Sequence, residues 1–378
     1  MNKLTLFLPS LAHGGAERVM LNIAFGLQSR ADVDVELLLV EASGPYLEQA
    51  RENGIRVVDL GCSRIISSVP KVVRYLRRRR PMAVLSALDT TNLVALWAAR
   101  LARVDTRVVV SEHCNFSSAL AGARNAQARL LPPLVSRFYP WADAIVAVSA
   151  GVADDLAQST GVARESMTVV FNPVITPAVV EAARLEPEHR WFADHGIPIV
   201  LGIGRLTYQK NFELLVEAFA RLSKRAPARL IILGEGPDRE ALQRRIDSLG
   251  LSERVDMPGF VQNPYAYMKA ASLFVLSSRY EGLPTVLIEA LYCGAPVIAT
   301  DCPSGPREIL RGGELGELVP MDDAEALEEA MSAVLSESGK AATAAGALDD
   351  YRLARVTERY AAIMLGHPSP SASVPGLT

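Results

Sequence analysis

The sequence predicts an α/β protein of two doubly wound domains, whose parallel β-sheets face each other across a cleft. Two observations predict this fold class. Short runs rich in Val, Ile and Leu alternate with longer amphipathic runs along the chain, as strands alternate with helices in βα proteins. Most of the short runs are apolar on both faces, which is typical of strands buried on both sides of a parallel sheet.

The predicted elements follow one another in a regular order. In the first half we predict strands at residues 4–9, 33–40, 55–60, 82–88, 107–113, 143–149 and 167–173. Helical patterns lie between several of them, at residues 16–29, 70–80, 92–102 and 150–159. A second series of strands is predicted at residues 199–206, 228–236, 254–260, 272–278, 296–302 and 316–320. The repeated strand-then-helix order predicts right-handed crossovers and two Rossmann-like domains.

One interruption sets the domain limits. A chain of 378 residues is long for one hydrophobic core and sufficient for two α/β domains of about 170 to 190 residues. Both periodicities are broken by four prolines: Pro173, Pro177, Pro187 and Pro198. We therefore expect an N-terminal domain over residues 1–175 and a C-terminal domain over 190–366. The Pro- and Ser-rich end, residues 367–378, is predicted to be a disordered tail.

Composition excludes several classes of protein. Hydrophobic residues make up 49% and charged residues 21% of the chain, a balance typical of globular proteins. Residues 1–175 hold 19 basic and 15 acidic side chains, and the remainder holds 20 and 27, so the first half is expected to face an anionic partner. The four cysteines show no CxxC spacing, and the N-terminal apolar run is too short for a signal peptide. We expect a cytoplasmic protein with reduced thiols.

The first candidate site follows the first strand. Gly14 and Gly15 stand directly before a predicted helix, where backbone N–H groups and the positive end of the helix dipole can hold a phosphate. This loop is a candidate pyrophosphate cradle. The alternative is an ordinary tight turn between strand and helix, which a double glycine alone favours. The sequence lacks the G-x-G-x-x-G pattern, which disfavours a nicotinamide dinucleotide.

Two cations follow the first strand of the second series. Arg205 and Lys210 are predicted in the loop between strand 199–206 and the next helix, and ligands of open α/β sheets bind beyond the carboxyl ends of strands. Two fixed cations can neutralise a leaving diphosphate in place of a divalent metal. Alone, they could equally be solvated loop charges.

Two glutamates flank a short apolar segment. Glu281 precedes a predicted helix that begins near Pro284, and Glu289 lies inside it. Because that helix is apolar nearly all round, we expect it to be buried together with Glu289, whose carboxylate then needs hydrogen-bond donors such as sugar hydroxyls. Either glutamate taken singly fits a structural role as well.

Four motifs together resemble a known family. The segment from Glu281 to Glu289 resembles the glutamate, seven residues, glutamate signature of family 4 retaining glycosyltransferases. The likeness extends, in order, to HGGAER, GIGRLTYQKN and ILGEGPDRE, and it covers residues 3–366. The resemblance implies a GT-B fold, a nucleotide-sugar donor held mainly by the C-terminal lobe and an acceptor held mainly by the N-terminal lobe. It also implies that no catalytic metal and no further cofactor are used.

The resemblance assigns roles to individual residues. It identifies Arg205 and Lys210 with the family's diphosphate-binding pair, and the main chain near Gly15 with its phosphate-contacting loop. Glu289 matches the acid that binds the donor's ribose hydroxyls, and Glu281 matches the acid near the donor sugar. The backbone around Gly282, Leu283, Pro284 and Thr285 is then expected close to the sugar or phosphate, and the base near Gly259, Phe260 and Val261.

His113 is a further candidate by the same resemblance. It stands at the carboxyl end of a predicted strand and resembles the family histidine that contacts the donor sugar from the opposite lobe. Without the family, a lone histidine here is more often structural. Glu281, His113, Arg205 and Lys210 form the predicted catalytic set.

One segment departs from the commonest family pattern. Many members have a Gly-Gly-x-x-Glu stretch where this chain has Ser304, Gly305, Pro306 and Glu308. The variant is similar to one in enzymes that build lipopolysaccharide, capsule and lipid-linked oligosaccharides. We expect transfer of a hexose or N-acetylhexosamine, with UDP as the carrier, and the sugar itself stays open. A nucleotide-sugar 2-epimerase on the same fold and a two-lobed sugar-binding protein are the alternatives.

A basic helix suggests a second partner. Residues 70–80 carry apolar Val72, Val73 and Leu76 on one side and six basic residues on the other: Lys71, Arg74, Arg77, Arg78, Arg79 and Arg80. Such a helix can hold an enzyme reversibly on an anionic membrane, at the inner face of the plasma membrane, although a solvated outer helix fits nearly as well. Nucleic acid is a poorer partner because the basic residues lack interleaved aromatics.

Overall fold

The computed structural model describes residues 1–12, 14–122, 128–194, 196–336 and 345–367. The chain forms two compact units, here called the N-terminal unit (Met1–Pro173 with Asp350–Thr378) and the C-terminal unit (Val174–Asp349). Each unit is an α/β fold around one parallel sheet, which confirms the predicted class.

The N-terminal unit is built on a seven-stranded parallel sheet in the order β3-β2-β1-β4-β5-β6-β7. Its strands are β1 (Asn2–Leu8), β2 (Val33–Leu39), β3 (Arg56–Asp59), β4 (Ala83–Ala87), β5 (Arg107–Glu112), β6 (Ala144–Ala147) and β7 (Met167–Val169). Its helices are α1 (Gly15–Gln28), α2 (Tyr46–Glu52), α3 (Val69–Arg79), α4 (Asp89–Ala102), α5 (Phe116–Gly122), α6 (Leu131–Phe138) and α7 (Ala150–Thr160). The sheet grows outward in both directions from the neighbours β1 and β4.

The C-terminal unit repeats this arrangement with six parallel strands in the order β10-β9-β8-β11-β12-β13. Its strands are β8 (Ile199–Ile203), β9 (Arg229–Leu233), β10 (Val255–Gly259), β11 (Leu273–Leu276), β12 (Val297–Thr300) and β13 (Glu317–Val319). Its helices are α8 (Pro177–Ala182), α9 (Phe212–Leu222), α10 (Arg239–Ser248), α11 (Pro264–Ala270), α12 (Thr285–Cys293), α13 (Pro306–Ile309) and α14 (Ala324–Ser336). Here β8 and β11 are the central neighbours.

The last helix, α15 (Leu353–Leu365), belongs to the N-terminal unit, so the predicted C-terminal domain of residues 190–366 is wrong at its end. Val356, Tyr360 and Met364 of α15 join the core beneath β1 and β4. The two helices α1 and α15 approach closely at Gly26, where an added Cβ would lie 2.0 Å from Thr357 Oγ1. Amphipathic periodicity predicts the helix, but it does not say which sheet the helix covers.

Of the predicted tail, residues 367–378, only His367 is described, and its amide donates to Ala362 O at 2.8 Å; residues 368–378 lie outside the described part of the chain.

Candidate active site

The central strand pair of the C-terminal unit positions the candidate site. Neighbours β8 and β11 send their following helices to opposite faces of the sheet, which opens a crevice beyond their carboxyl ends. The loop 204–211 leaves β8 and the loop 277–284 leaves β11. Both loops carry predicted site residues, so the topology brings together segments that are about 70 positions apart in sequence.

Lys210 and Glu281 meet at this crevice. The Lys210 Nζ atom lies 2.5 Å from Glu281 Oε1, and the Ser278 hydroxyl donates to the same oxygen at 2.6 Å. The Glu281 residue is 5% exposed, so the ion pair is largely removed from water. Removing one partner would leave an uncompensated buried charge, which is a strongly destabilising change. The structure therefore joins two members of the predicted catalytic set.

The loop that carries Lys210 is fixed to the loop that carries Glu281 by the main chain. The Arg279 amide donates to Gln209 O at 2.8 Å, and the Gln209 side-chain amide donates to Tyr280 O at 2.9 Å. The Ser277 hydroxyl donates to Lys210 O at 2.9 Å. These bonds hold the backbone on both sides of Lys210 in register with the segment before Glu281.

A side-chain clamp extends this connection to a third loop. Arg279 Nη2 lies 3.1 Å from Asp322 Oδ1, and the Asn211 amide donates to the same oxygen at 2.9 Å. Arg279 Nη1 also donates to Tyr208 O at 2.9 Å. Asn211 and Asp322 both have positive φ, 49° and 55°, a conformation that Asn and Asp adopt more readily than most residues. We call Arg279, Asp322 and Asn211 the Asp322 clamp; no pattern in the sequence pointed to it.

Arg205 lies in the same loop as Lys210 but is exposed, and no other described residue forms an ion pair with it. The turn after β9 supports the backbone next to Arg205. The Leu206 amide donates to Glu235 O at 3.0 Å, and a Cβ added at Gly236 would lie 2.2 Å from Leu206 O. The motif ILGEGPDRE therefore supports the Arg205 loop, because only glycine permits this approach.

Glu289 lies on α12 and is buried, as the sequence predicted. The Tyr265 hydroxyl lies 3.4 Å from Glu289 Oε1 and can donate to it. Pro284 precedes the helix and Thr285 begins it, while Leu283 is buried below the loop. A Cβ added at Gly305 would lie 2.5 Å from Pro284 Cδ. The divergent loop of Ser304 to Glu308 thus packs directly on the predicted sugar-contacting segment, and Gly282 O also lies beside Gly305.

The predicted base-binding residues follow β10. Gly259 has a φ of 87°, Phe260 is 69% exposed, and Val261 is half-buried. A Cβ added at Gly259 would lie 2.6 Å from the Glu235 carboxylate. The exposed Phe260 ring can support a base, and Glu235 is a polar neighbour that sequence reasoning did not single out.

The predicted phosphate loop of the N-terminal unit follows β1. Nothing lies within 4 Å of a Cβ added at Gly15, so the backbone there is open, whereas a Cβ at Gly14 would meet the Glu17 carboxyl group. Burial raises the pKa of Glu17. An ionised Glu17 would repel a phosphate, and the raised pKa reduces that repulsion by favouring the neutral acid. The role of Gly15 stays a prediction.

His113 follows β5 and is buried. Its Nε2 lies 3.0 Å from Ser111 Oγ, while its Nδ1 has no hydrogen-bond partner among the described residues. Burial lowers the pKa of His113 to about 4, so the imidazole is neutral at neutral pH. The structure places His113 in the other unit from Lys210 and Glu281, and its predicted contact with the donor stays a prediction.

Sequence reasoning missed a buried acid beside His113. Glu112 accepts hydrogen bonds from the Asn92 amide at 2.8 Å and from the Tyr139 hydroxyl. Burial, reinforced by the nearby Asp89 charge, raises the pKa of Glu112 well above its usual range, and burial also raises the pKa of Asp89. Burial and the mutual repulsion of the two carboxylates therefore disfavour the doubly charged form of the pair. Leu88, directly before Asp89, has a φ of 75°, an outlier that marks this turn as strained.

The basic helix α3 is an outer helix of the N-terminal unit. Its apolar side is not free, because Val72, Tyr75 and Leu76 pack inside the N-terminal unit. Three of its six basic residues have partners within the unit. Arg79 pairs with Glu36 at 3.0 Å, Arg77 donates to the last carbonyls of α4, and Lys71 donates to two carbonyls before the helix. The exposed remainder, Arg74, Arg78 and Arg80, forms a charged surface without an apolar face.

Over the described ranges, no three His, Cys, Asp or Glu side chains are grouped so that they could hold a metal ion.

Comparison with known families identifies the class of protein. The family described as Glycosyltransferase Family 4 matches residues 13–176, and the family described as Glycosyl transferases group 1 matches residues 187–347. The chain belongs to the family 4 glycosyltransferases of GT-B fold, and it is a transferase.

Three similar proteins illustrate this membership. N-acetylgalactosamine-N,N'-diacetylbacillosaminyl-diphospho-undecaprenol 4-alpha-N-acetylgalactosaminyltransferase of Campylobacter jejuni is 29% identical, over 95% of this chain and 99% of its own length. GalNAc-alpha-(1->4)-GalNAc-alpha-(1->3)-diNAcBac-PP-undecaprenol alpha-1,4-N-acetyl-D-galactosaminyltransferase of the same organism is 28% identical, over 89% of this chain and 90% of its own length. The crystal structure of Anabaena HepE in complex with UDP has a TM-score of 0.76 at 22% identity and covers 96% of this chain and 98% of that one.

Proposed function

We propose that this glycosyltransferase moves a hexose or an N-acetylhexosamine from a UDP-sugar to a glycan or lipid-linked acceptor in the synthesis of a bacterial surface polysaccharide. The observation that carries the proposal is the buried Lys210–Glu281 pair at the central strands of the C-terminal unit, where sheets of this topology bind ligands. The names of the Campylobacter relatives support a lipid-linked acceptor, and HepE supports UDP.

The proposed reaction retains the anomeric configuration. The bond between the anomeric carbon and the diphosphate breaks, and the acceptor oxygen forms the new bond on the same face. The acceptor's proton passes to the departing phosphate oxygen, so the products are the glycoside and UDP. Exposed Arg205 and the Lys210 ammonium supply positive charge as negative charge builds on the diphosphate.

Glu281 has two roles in this proposal. Its Oε1 accepts from both Lys210 and Ser278, which holds the Lys210 ammonium at the crevice. Its second oxygen can accept from a sugar hydroxyl, an interaction that a buried carboxylate forms strongly. Glu289, which lies inside α12, would bind ribose hydroxyls in the same way. We further propose that no metal takes part, because fixed cations stand where the leaving charge develops.

A donor panel tests the proposal. The protein is incubated with UDP-, GDP- and ADP-sugars and a polyprenyl diphosphate-linked glycan, with and without EDTA, and the anomeric configuration of the product is read by NMR. We expect UDP-sugar turnover, an α-product from an α-donor and no effect of EDTA. Alanine at Lys210 or Arg205 should lower turnover about a hundredfold or more, as for other charge-stabilising groups, whereas alanine at exposed Lys224 should not. Equal activity of these variants, an inverted product or EDTA inactivation would each refute part of the assignment.

The membrane is a second part of the proposal. No described helix combines the length and the apolarity that crossing a bilayer requires. We propose peripheral contact with the inner face of the plasma membrane, because a lipid-linked acceptor brings its reacting sugar to that surface. The exposed Arg74, Arg78 and Arg80 support electrostatic contact with anionic lipid.

A further inference from the structure

An aromatic cluster lies on the N-terminal unit beside the basic helix α3. Trp141, in the short 3₁₀ turn after α6, packs edge-on against Phe138 with ring centroids 4.8 Å apart. The guanidinium carbons of Arg100 and Arg137 lie 5.7 Å and 5.8 Å from the Trp141 ring centroid. We call Arg100, Leu101, Arg137, Phe138 and Trp141 the Trp141 surface.

This surface continues into α3. Arg77 of α3 donates to Leu101 O at 2.9 Å and to Ala102 O at 3.2 Å, so the ends of α3 and α4 lie side by side. Over the three segments 69–80, 89–103 and 131–141 the sequence has nine basic residues and one acidic residue. The acidic residue, Asp89, begins α4, while Arg100 and Arg103 are at its other end. Arg79 is paired with Glu36, and Asp105 and Asp143 follow these segments, so the net charge of the shared edge is positive but smaller than this count.

Exposed apolar side chains accompany these charges. Leu101 is 56% exposed and Trp141 is 39% exposed, although both residue types are usually buried when a neighbouring core is available. Tryptophan and leucine side chains flanked by arginines are typical of protein surfaces that insert into the interfacial region of an anionic bilayer. In α3, by contrast, the apolar side is buried in the unit and cannot enter lipid.

We propose that the Trp141 surface is the element that docks this enzyme on an anionic lipid bilayer, with Trp141 and Leu101 entering the headgroup region and the arginines holding lipid phosphates. This inference deepens the proposed function and rests on it, since a lipid-linked acceptor gives the docking its purpose. The exposed arginines of α3 add charge around the docked surface.

The geometry favours lipid over the other partners that a basic surface attracts. Two guanidinium groups and the Phe138 edge already contact the Trp141 ring, so a nucleic acid base would have to displace them in order to stack. A second copy of the chain would have to bring the same positive surface against itself across a two-fold axis, which charge repulsion opposes.

Brominated lipid provides a direct test. The chain has three tryptophans, so the variant Trp97→Phe with Trp191→Phe leaves Trp141 as the single emitter. We expect its emission to shift to shorter wavelength and to be quenched by brominated phosphatidylcholine vesicles that contain phosphatidylglycerol. No quenching in anionic vesicles that do bind the protein would overturn the proposal.

Vesicle cosedimentation measures the contribution of each group. We expect Trp141→Ala to weaken binding to phosphatidylglycerol vesicles about tenfold, and Arg100→Gln or Arg137→Gln about fivefold each, at roughly 1 kcal/mol per basic residue. The matched controls are Leu185→Ala, at a leucine 61% exposed in the C-terminal unit, and Arg184→Gln beside it. Equal losses in the controls and the Trp141-surface variants would refute the assignment, and so would a dimer in light scattering that Trp141→Ala dissociates.

Turnover separates this proposal from the function on which it rests. With a short water-soluble acceptor analogue, the Trp141→Ala enzyme should keep the wild-type rate, and with the acceptor in vesicles it should lose rate together with binding. Wild-type rate on vesicles would overturn the docking proposal alone. Absence of UDP-sugar turnover by the unaltered protein would overturn the proposed function.

Discussion

The ion pair between Lys210 and Glu281 gives a prediction that can be worked from the structure. At 2.5 Å and an effective dielectric constant of about 20, Coulomb attraction between two unit charges is about 6 to 7 kcal/mol. Much of this attraction is offset by the loss of water around both groups, because the side chains are 17% and 7% exposed. Breaking such a pair by removing one partner typically costs about 3 to 5 kcal/mol, since the other charge stays buried.

We therefore expect Lys210→Met and Glu281→Gln each to lower the free energy of unfolding of the C-terminal unit, with Lys210→Met the more destabilising because it leaves the buried carboxylate with a neutral donor, Ser278, and no cation. The double variant should be more stable than the sum of the two losses predicts, by about 2 kcal/mol or more, since neither buried charge then remains. Urea unfolding, followed by circular dichroism, gives the three free energies.

Activity completes this cycle. The double variant should regain stability while donor turnover stays at least about a hundredfold below the wild-type rate, because the charge that meets the diphosphate is gone. Additive stability losses would show that the two charges are not coupled and would refute the buried-pair argument. Recovery of turnover in the double variant would refute the catalytic role of Lys210.

Three further predictions address other parts of the chain. Asp322→Ala should release Arg279 and Asn211 and lower kcat about tenfold, while the melting temperature stays within a few degrees of the wild-type value. Asp323→Ala removes hydrogen bonds at the start of α14, so it should lower stability and leave kcat unchanged. Burial lowers the pKa of His113 to about 4, so the folded protein binds this proton more weakly than the unfolded chain does. The free energy of unfolding should therefore fall as the pH drops below about 6.5, by about 3 kcal/mol at pH 4. Unfolding curves of His113→Gln should lack that loss of stability. Gly26→Val should cost about 1 to 3 kcal/mol through overlap with Thr357, while Gly346→Val, which has open space, should be near neutral in urea unfolding.

Much of the fold follows from the sequence because buried parallel strands read as continuous apolar runs. Each strand of both sheets overlaps a predicted one, with the predicted ends extending too far into the loops, as at 228–236 against the observed Arg229–Leu233. The sheet against which α15 packs could not be predicted in this way. Its periodicity gives an apolar side, but the covered sheet begins some 350 residues earlier in the chain.

The candidate site, too, could be predicted from the sequence only in part. The motifs placed Lys210 and Glu281 at strand ends, and the neighbouring position of β8 and β11 then brings them together. The Asp322 clamp and the hydrogen-bonded group of Glu112, Asn92 and Tyr139 were missed because their members are scattered singly in the sequence. Only the fold brings them into contact. For a related reason the sequence left two interpretations of helix α3 open, since an apolar side predicts burial and does not say whether the partner is lipid or the protein's own core.

The two sheets share the order of their central strands but differ in the charged side chains that follow those strands. After the first central strand of each sheet stands Lys210 in one unit and Glu17 in the other, and after the second central strand stand Glu281 and Asp89. In the C-terminal unit, the buried Glu281 carboxylate lies 2.5 Å from the Lys210 ammonium. In the N-terminal unit, burial raises the pKa of both Glu17 and Asp89. An edge with an ion pair and an exposed Arg205 suits a diphosphate, whereas an edge where burial disfavours the charged form of its acids suits uncharged hydroxyl groups. We expect this difference in available cations to favour the donor diphosphate at the C-terminal unit and the acceptor's hydroxyl groups at the N-terminal unit.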